Sequence, residues 1–340
     1  MRKVIAVDNT HLYGKYEGVL LSAITQDTEN YIYPIAFCVL DKENDASWAF
    51  FFEKLKSIMV DRPDLCFISD RHKSIANGIA KVYNHAHHGY CIRTTVPRQH
   101  ELGFEKWSRA YFPGNRFNVM TTNIVESVNA MLIDEREYPV ASIFNSIAKR
   151  FGEIFRERRA YILKCKDNKF VPTAKKILRD NMSEGDSFYV ENISGDERKY
   201  TVFGSGSTAK FDLLERSCSC RKFDLVKIPC DHAMDALRSK HGDDYGLSVY
   251  DYSSPLYKVE KYLLAYSESI NVVPLESEWH VPQKLLDINI IPPLVVTKLR
   301  RKKRKCIKGV GETFNSKRRN KCSLCKRPGH KRTTCNNSKS

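Results

Sequence analysis

The order of strand-like and helix-like patterns near the start of the chain constrains the fold more than any other sequence feature. Three runs of β-branched and aromatic residues come first, followed by a helical period, a fourth strand and a second helix: Val4–Val7, Val19–Thr25, Tyr31–Leu40, Ser47–Met59, Leu65–Ile68 and Ser74–Tyr83. A polar turn separates the second and third runs, which predicts antiparallel strands. The pattern predicts an α/β domain with a mixed sheet and flanking helices.

The rest of the chain divides by composition. With 340 residues, the chain favours several domains over one. We predict an α/β domain at 1–137, a helical segment at 138–185, a small β module with a Cys/His cluster at 186–245, a helical and proline-rich connector at 246–297, a basic run at 298–321 and a second Cys/His cluster at 322–335.

The positive charge is concentrated at the C-terminal end. From Lys298 to Ser340 there are 17 basic residues and one acid, so this segment accounts for the whole net charge of +16. Such a segment predicts a polyanion partner, and we expect nucleic acid, most simply DNA. The densest run is a nuclear-import signal or a phosphate-binding patch, and the alternative is a solvated tail: Arg300, Arg301, Lys302, Lys303, Arg304 and Lys305. We therefore expect the protein in the nucleus.

No part of the sequence predicts a membrane segment or a secretory signal. The apolar stretches fall short of the ~18–20 residues needed to span a bilayer, and Asp8 interrupts the apolar run after Met1 too early for a signal peptide. We expect no membrane partner and a reducing, intracellular location. The 11 cysteines should then be thiols or metal ligands rather than disulfides.

The last cysteine cluster predicts a zinc site. It reads Cys322-x2-Cys325-x4-His330-x4-Cys335, and its fourteen residues are too few to bury a core without a bound metal. Three thiolates and an imidazole suit tetrahedral Zn²⁺; free thiols in a disordered tail are the alternative. The spacing resembles the zinc knuckle, a module that binds single-stranded nucleic acid in many proteins and protein in others. Four cations around the ligands would contact phosphates: Lys326, Arg327, Lys331 and Arg332.

An earlier cluster predicts a second zinc site. It reads Cys218-x-Cys220-x9-Cys230-x-His232, with the first pair on an extended segment and the second at the start of a helix. Two such pairs can close one tetrahedron around Zn²⁺, whereas the alternative is two cysteine pairs packed in a core. The arrangement resembles the SWIM zinc finger. We therefore predict two structural zinc ions in this protein.

Three carboxylates are candidates for a divalent-metal site. Asp8 ends the first predicted strand, Asp70 ends the fourth, and Glu126 lies on a later helix. Acids that converge from such elements bind two hard cations about 4 Å apart and act on a phosphodiester. Two alternatives stay open from the residues alone. Asp70 could cap the helix that follows it, and Asn123-x-x-Glu126 fits a capping box.

Several short motifs carry a family resemblance that covers nearly the whole chain. They are similar to motifs of plant Mutator-like transposases: Val7–Tyr16, Asp45–Trp48, Ile68–Ile75, His87–Cys91 and Thr121–Ser127. The two zinc clusters follow in that family's order. The resemblance implies a ribonuclease-H-like domain over 1–137. It also implies a catalytic triad of Asp8, Asp70 and Glu126 that uses Mg²⁺ or Mn²⁺ to cut and rejoin DNA.

The sequence departs from the family in three ways. The family usually has Cys-x-x-His after the second Asp, but here Thr94 stands three residues after Cys91. Only 16 positions separate Cys91 from Trp107, where the family has several dozen mostly helical residues. The sequence starts directly before the first strand, so we expect the family's N-terminal zinc domain to be absent. We expect the short connection to hinder docking of the Glu126 helix beside Asp8 and Asp70, since a misplacement of about 1 Å costs on the order of 100-fold in rate.

These observations predict a truncated or degenerate transposase that binds zinc and nucleic acid. Its ancestral reaction is DNA cleavage and strand transfer by a two-metal mechanism, and the sequence leaves open whether that activity remains. The alternative is an inactive, domesticated transposase that acts as a DNA-binding transcription regulator. Protein partners at the zinc modules and a homo-oligomer also stay open.

Overall fold

The computed structural model describes residues 1–288 except 16, 96–102, 109–110, 118, 186, 193–194, 196–197, 205, 271–273, 275 and 279. These residues belong to one compact unit, Met1–Val296. The predicted basic run at 300–305 and the predicted zinc knuckle at 322–335 lie outside the described residues.

The first part of the chain alternates strands with helices. The elements are β1 (Val4–His11), β2 (Val19–Gln26), β3 (Ile32–Leu40), α1 (Asp45–Lys56), β4 (Cys66–Ser69), α2 (Lys73–Val82) and β5 (His87–Tyr90). The six elements predicted from the sequence are present, with their ends shifted by a few residues. The fifth strand was not predicted, because its sequence of two histidines, glycine and tyrosine lacks an apolar pattern.

The five strands form one mixed sheet in the order β3-β2-β1-β4-β5. β2 is antiparallel to both of its neighbours, whereas β1, β4 and β5 are parallel. Parallel strands need a crossover, and α1 and α2 provide the two crossovers here. This is the ribonuclease-H-like arrangement, so the predicted fold class is confirmed.

One face of the sheet is covered by α1 and α2. Because side chains alternate along a strand, Ile5 and Val7 of β1 point to this face. They pack with Trp48 and Phe52 of α1 and Ile79 of α2 in one buried cluster. The rings of Trp48 and Phe52 stack with centroids 5.6 Å apart. Aromatic residues spaced by three or four positions thus fix this layer.

Five helices follow β5 along the chain. They are α3 (Ile92–Thr95), α4 (Phe104–Trp107), α5 (Asn123–Met131), α6 (Val140–Leu163) and α7 (Pro172–Gly185). α5 and α6 cover the second face of the sheet, where Ala6 of β1 packs with Val125, Val128 and Phe151. The sheet therefore lies between two helical layers, and its second face carries the helix of Glu126.

The second half of the described chain holds a small antiparallel sheet and several helices. The strands are β6 (Tyr189–Glu191), β7 (Lys199–Gly204), β8 (Ser207–Asp212) and β9 (Ser217–Cys218), and the helices are α8 (Lys222–Val226), α9 (Asp231–His241), α10 (Tyr245–Tyr252), α11 (Val259–Ala265) and α12 (Gln283–Leu286). α9 packs on the inner face of the sheet through Ala233 and Leu237, against Val202 and Phe211. Within the described part of the chain, no helix is long and apolar enough to cross a membrane.

A buried carboxylate joins the two halves. Asp27 lies in the turn between β2 and β3, and its Oδ2 accepts hydrogen bonds of 2.7 Å from the hydroxyls of Tyr262 and Tyr266. Its Oδ1 accepts from the backbone N–H groups of Glu29 and Tyr31. A buried charge is tolerated only when it is hydrogen-bonded in this way. Asp27 therefore fixes α11 against the first domain.

Candidate metal centres

The four ligands of the predicted upstream zinc site come together in the structure. One potential ligand atom from each of Cys218, Cys220, Cys230 and His232 lies within 4.8 Å of all the others. The Sγ atoms of Cys220 and Cys230 are 3.6 Å apart. Cys218 ends β9, and Cys230 directly precedes α9, which places His232 in the first turn of that helix. The end of β9 thus supplies Cys218, and the start of α9 supplies Cys230 and His232.

The chemistry of this cluster fits Zn²⁺. Cys218, Cys230 and His232 are buried; neither ring nitrogen of His232 forms a hydrogen bond within the described residues, and its Nδ1 lies 3.3 Å from Oδ1 of Asp231. Buried polar atoms without partners carry a free-energy penalty that a bound cation would relieve. Thiolates and a neutral imidazole are also the ligands that zinc prefers. The seven cysteines described by the structure form no disulfide, so the thiols of Cys218, Cys220 and Cys230 can bind a metal.

Hydrogen bonding among the three thiols separates their acidities. The pKa of Cys220 is lowered, first by its hydrogen bond with Cys218 and then by that with Cys230. The pKa of Cys230 is raised by its hydrogen bonds with Cys218 and Cys220 and by burial. One thiolate can thus form in this cluster before a metal binds. Coordination to Zn²⁺ would then favour the thiolate at all three positions.

Asp8 and Asp70 lie beside each other on neighbouring parallel strands. Ala6 of β1 is paired with Ile68 of β4, so two residues further on Asp8 is level with Asp70. The two-residue period directs both side chains to the face covered by α5.

The expectation that Asp8 ends its strand was wrong. β1 continues to His11 because it stays paired with β2 up to Val19, whereas Asp70 directly follows β4 as expected.

Glu126 lies in the first turn of α5, on the same face of the sheet. Its neighbours Val125 and Val128 pack against Ala6, two residues before Asp8. The side chain of Asn129 donates a hydrogen bond of 3.3 Å to the backbone oxygen of Asn9, which ties α5 to β1 next to Asp8. The short connection after β5 therefore still lets this helix dock over the first strand.

The carboxylates influence one another electrostatically. The pKa of Asp8 is raised from 3.8 to about 7, mainly by burial and further by the charges of Asp70, Glu126 and Glu43, although the backbone N–H of Asn9 opposes the shift. A carboxyl group among like charges binds its proton tightly. A divalent cation would reverse this effect by favouring the ionised form. The arrangement thus fits a hard cation held by carboxylate oxygens.

An arginine pairs with the third carboxylate. Nη1 of Arg93 donates to Oε2 of Glu126 at 3.3 Å and to Oδ1 of Asn123 at 2.9 Å. Both charged side chains of this ion pair are at least half exposed. Arg93 follows Cys91 closely, in the segment where the related family has Cys-x-x-His. Sequence reasoning missed this residue, because nothing local links it to a glutamate 33 positions away.

The capping alternatives can be compared with the observed hydrogen bonds. Oδ1 of Asp70 accepts from the backbone N–H of His72 at 3.0 Å, just before α2 begins. Asn123 is the first residue of α5 rather than its cap, and its side chain accepts from Arg93. The carboxylate of Asp70 thus has a local role at the helix start, while Asn123 and Glu126 form no capping box.

The three carboxylates do not converge as closely as the Cys/His ligands do. Among the described residues, the ligand atoms of the Cys218 cluster come together, whereas Asp8, Asp70 and Glu126 do not form a comparable group. A bound cation would therefore have to draw the Glu126 carboxylate away from Arg93 and towards the two aspartates.

A buried histidine supports the position of Asp70. Nε2 of His88 on β5 lies 2.9 Å from Oγ of Ser69, whose hydroxyl donates to the backbone oxygen of Asp70 at 2.6 Å. Burial, together with the charges of Lys106 and Arg116, lowers the pKa of His88 to about 4, so it is neutral at pH 7. The sequence motif contained this residue, but only the pairing of β4 with β5 shows what it contacts.

Comparison with known families agrees with this geometry. The family model of the MULE transposase domain matches residues 4–97, and that of the SWIM zinc finger matches residues 200–240. The chain thus contains one segment similar to the MULE transposase domain and one similar to the SWIM zinc finger. Asp8 and Asp70 lie within the first match, and the four ligands of the Cys218 cluster lie within the second. Glu126 lies outside both. A comparison with curated proteins gives no match.

The two matches explain how the halves of the chain differ in chemistry. The MULE match covers β1–β5 and provides oxygen ligands on a ribonuclease-H-like sheet. The SWIM match covers β7–β9 and most of α9, and it provides sulfur and nitrogen ligands. The chain therefore combines a candidate site for hard cations with a segment similar to the SWIM zinc finger.

Proposed function

We propose that this transposase-related protein binds nucleic acid and retains the divalent-metal site of a phosphodiester-cleaving enzyme. The observation that carries the proposal is the side-by-side placement of Asp8 and Asp70 on parallel strands, with the Glu126 helix docked on the same face. Burial, together with the charges of Asp70 and Glu126, makes the ionised form of Asp8 unfavourable, and a bound divalent cation would offset this effect. The raised pKa of Asp8 fits that situation.

The three carboxylates would have distinct tasks. Asp8 and Asp70 would hold Mg²⁺ or Mn²⁺ between the two strands, and Glu126 would complete the site from the helical layer. The bound metals would activate the attacking oxygen and stabilise the leaving oxygen of DNA cleavage and strand transfer. His88 and Ser69 would keep Asp70 in place through its backbone oxygen.

The zinc modules would serve binding rather than cleavage. The Cys218 cluster would stabilise the small sheet and α9, and the predicted knuckle of Cys322, Cys325, His330 and Cys335 would hold a second zinc ion. The basic residues around 300–305 and 326–332 would contact phosphates of DNA in the nucleus.

The Arg93–Glu126 ion pair favours a second candidate function. With one carboxylate paired to a cation, the site would bind metal weakly, and the protein would act as a DNA-binding transcription regulator. The two candidates differ in one measurable property, which is metal-dependent cleavage.

A plasmid cleavage assay distinguishes the two candidates. Zinc-loaded full-length protein is incubated with supercoiled plasmid and Mn²⁺, beside Asp70→Asn and the exposed control Asp167→Asn. The enzyme proposal predicts nicked or linear plasmid with the wild type and the control, and none with Asp70→Asn. Equal background in all three proteins, with binding to the plasmid retained, would support the regulator instead.

A further inference from the structure

A large cleft lies between the zinc module and the edge of the first domain. Its volume is about 1080 Å³. One wall is the loop that contains Phe112 and Asn115, close to β5, and the other is the small sheet with the start of α8. The side chain of Asn115 donates to the backbone oxygen of Asp224 at 2.9 Å, which holds the two walls together at one end.

The floor of the cleft is the outer face of the small sheet. Lys199 is paired with Asp212, and Thr201 is paired with Lys210, so these four side chains share one face of β7 and β8. The intervening residues, such as Phe211, point to the opposite face and are buried against α9. The cleft thus presents amines and hydroxyls, and the backbone pairing of Phe211 with Cys218 brings the candidate zinc ligand Cys218 to its lining as well.

The charge in the cleft is positive. Four cations line it: Lys199, Lys210, Arg221 and Lys227. None of them forms an ion pair with any residue that the structure describes. Of the three lining acids, Asp212 is paired with Arg198, and Asp64 with Lys3 and Arg62. Among the described lining residues, the four cations without an ion pair therefore outnumber the one acid without an ion pair, Asp224.

Two of these cations occupy an unusual backbone conformation. Arg221 has φ of 64° and Lys227 has φ of 61°, on either side of α8. The left-handed region favours glycine, and a long side chain there is disfavoured. Glycine at these two positions would shape the same turns without a charge. The positions instead carry guanidinium and ammonium groups, both of which line the cleft.

We propose that this cleft binds the sugar–phosphate backbone of a nucleic-acid strand. Lysine, arginine and small hydroxyl side chains are the groups that contact phosphates, and Thr201, Ser217 and Ser219 add hydroxyls to the cations. The inference rests on the nucleic-acid binding proposed above, and it adds a binding surface formed by the compact part of the chain. The basic tail is then not the sole contact with nucleic acid.

Salt dependence of binding tests the proposal. Binding of a fluorescein-labelled duplex oligonucleotide to the full-length, zinc-loaded protein is followed by anisotropy over a range of KCl concentrations. The wild type is compared with the double variant Lys199→Gln/Lys210→Gln. A matched control, Lys166→Gln/Lys176→Gln, removes two exposed lysines that do not line the cleft. The substituted lysines are exposed, so all variants are expected to fold, which thermal melts verify.

Each phosphate contact contributes about one unit to the slope of log affinity against log salt. The proposal predicts that the cleft variant loses about two units of slope and binds more weakly, while the control keeps the wild-type slope. A cleft variant that matches the control would overturn the proposal and leave nucleic-acid binding itself intact, so that an acidic protein would be the better ligand. Absence of wild-type binding would overturn both this inference and the proposed function.

Discussion

At the residue scale, Asp8 carries the most informative electrostatic feature of the first domain. Its carboxyl group is half-buried, and this burial, together with the nearby charges of Asp70, Glu126 and Glu43, raises its pKa from 3.8 to about 7. No described cation pairs with Asp8, whereas Arg93 pairs with Glu126. Without a bound cation, the ionised carboxylate of Asp8 therefore lowers the stability of the folded protein near neutral pH. Such perturbed pKa values are common at functional sites.

The first prediction concerns Asp8→Asn in the absence of Mg²⁺ and Mn²⁺. Since the folded protein holds the Asp8 proton more tightly than the unfolded chain, this group's contribution to stability falls as the pH rises from about 4 to about 7 and stays low above that. The variant lacks this penalty and keeps an acceptor for the N–H of Asn9. We expect its free energy of unfolding to exceed that of the wild type by on the order of 3 kcal/mol at about pH 8, and by less at about pH 5.5.

Urea unfolding at the two pH values measures this difference. Asp167→Asn serves as the control, because it removes an exposed carboxylate elsewhere. A stability difference that is the same at both pH values would show that Asp8 does not titrate in this range.

The second prediction concerns Arg93→Gln. Removing the guanidinium frees the Glu126 carboxylate and takes a positive charge away from the site. Because an exposed ion pair is worth about 1 kcal/mol or less, we expect Mn²⁺ affinity to rise by at most about fivefold. Mn²⁺ titration followed by electron paramagnetic resonance gives the affinity, with the remote Arg179→Gln as control. Weaker Mn²⁺ binding in Arg93→Gln would mean that Arg93 supports the site rather than competing with the cation.

At the scale of elements, α11 and the β2–β3 turn are joined by the Asp27 cluster. Tyr262 and Tyr266 come from one helical turn and converge on the same carboxylate oxygen. Their rings are 5.0 Å apart, and Tyr33 of β3 packs against Tyr266. This contact makes the zinc-containing half and the ribonuclease-H-like half parts of one compact unit.

The third prediction is that Tyr266→Phe destabilises the whole unit. The substitution keeps the ring but removes one hydrogen bond to a buried carboxylate, which is worth about 2 kcal/mol. Tyr250→Phe is the matched control, because the Tyr250 hydroxyl has no hydrogen-bond partner within the described residues. Thermal melts should show a lower Tm for Tyr266→Phe alone. Equal melting of the two variants would argue against a role of the Asp27 cluster in joining the halves.

The fourth prediction concerns zinc content. The Cys218 cluster and the predicted knuckle should each bind one ion, so purified wild-type protein should contain two zinc ions per chain. We expect His232→Ala and His330→Ala each to contain one, because three remaining ligands hold the metal more weakly. Atomic emission spectroscopy counts the ions. Two ions in either variant would contradict the assignment of that histidine as a ligand.

At the scale of the whole molecule, sequence patterns were sufficient for local features. Alternation of apolar residues located β1 to β4, and the Cys-x-Cys and Cys-x-His spacing located the zinc ligands. Both signals are local, because side-chain direction repeats every two residues in a strand and the ligand pairs lie within a few residues of each other. The mixed sheet followed from the order of strand and helix patterns and the ribonuclease-H-like fold from the resemblance, whereas the strand order came from the structure.

Long-range contacts between polar side chains could not be predicted in the same way. Arg93 and Glu126 are 33 positions apart, and Asp27 and Tyr266 are 239 positions apart. β5 lacks an apolar pattern, so His88 could not be placed beside Ser69. The cleft next to the zinc module arises from two segments that no sequence motif connects. These contacts and the cleft depend on how distant segments of the chain pack against each other, and short sequence patterns do not predict that packing.

The proposed function depends on Asp8, Asp70 and Glu126 forming one divalent-cation site. Electron paramagnetic resonance of free Mn²⁺, titrated with zinc-loaded full-length protein, measures this binding. We expect the wild type and Asp167→Asn to bind Mn²⁺ and Asp70→Asn to lose this binding. Equal, weak Mn²⁺ binding by all three proteins would contradict it, because the carboxylates would then not converge on a cation.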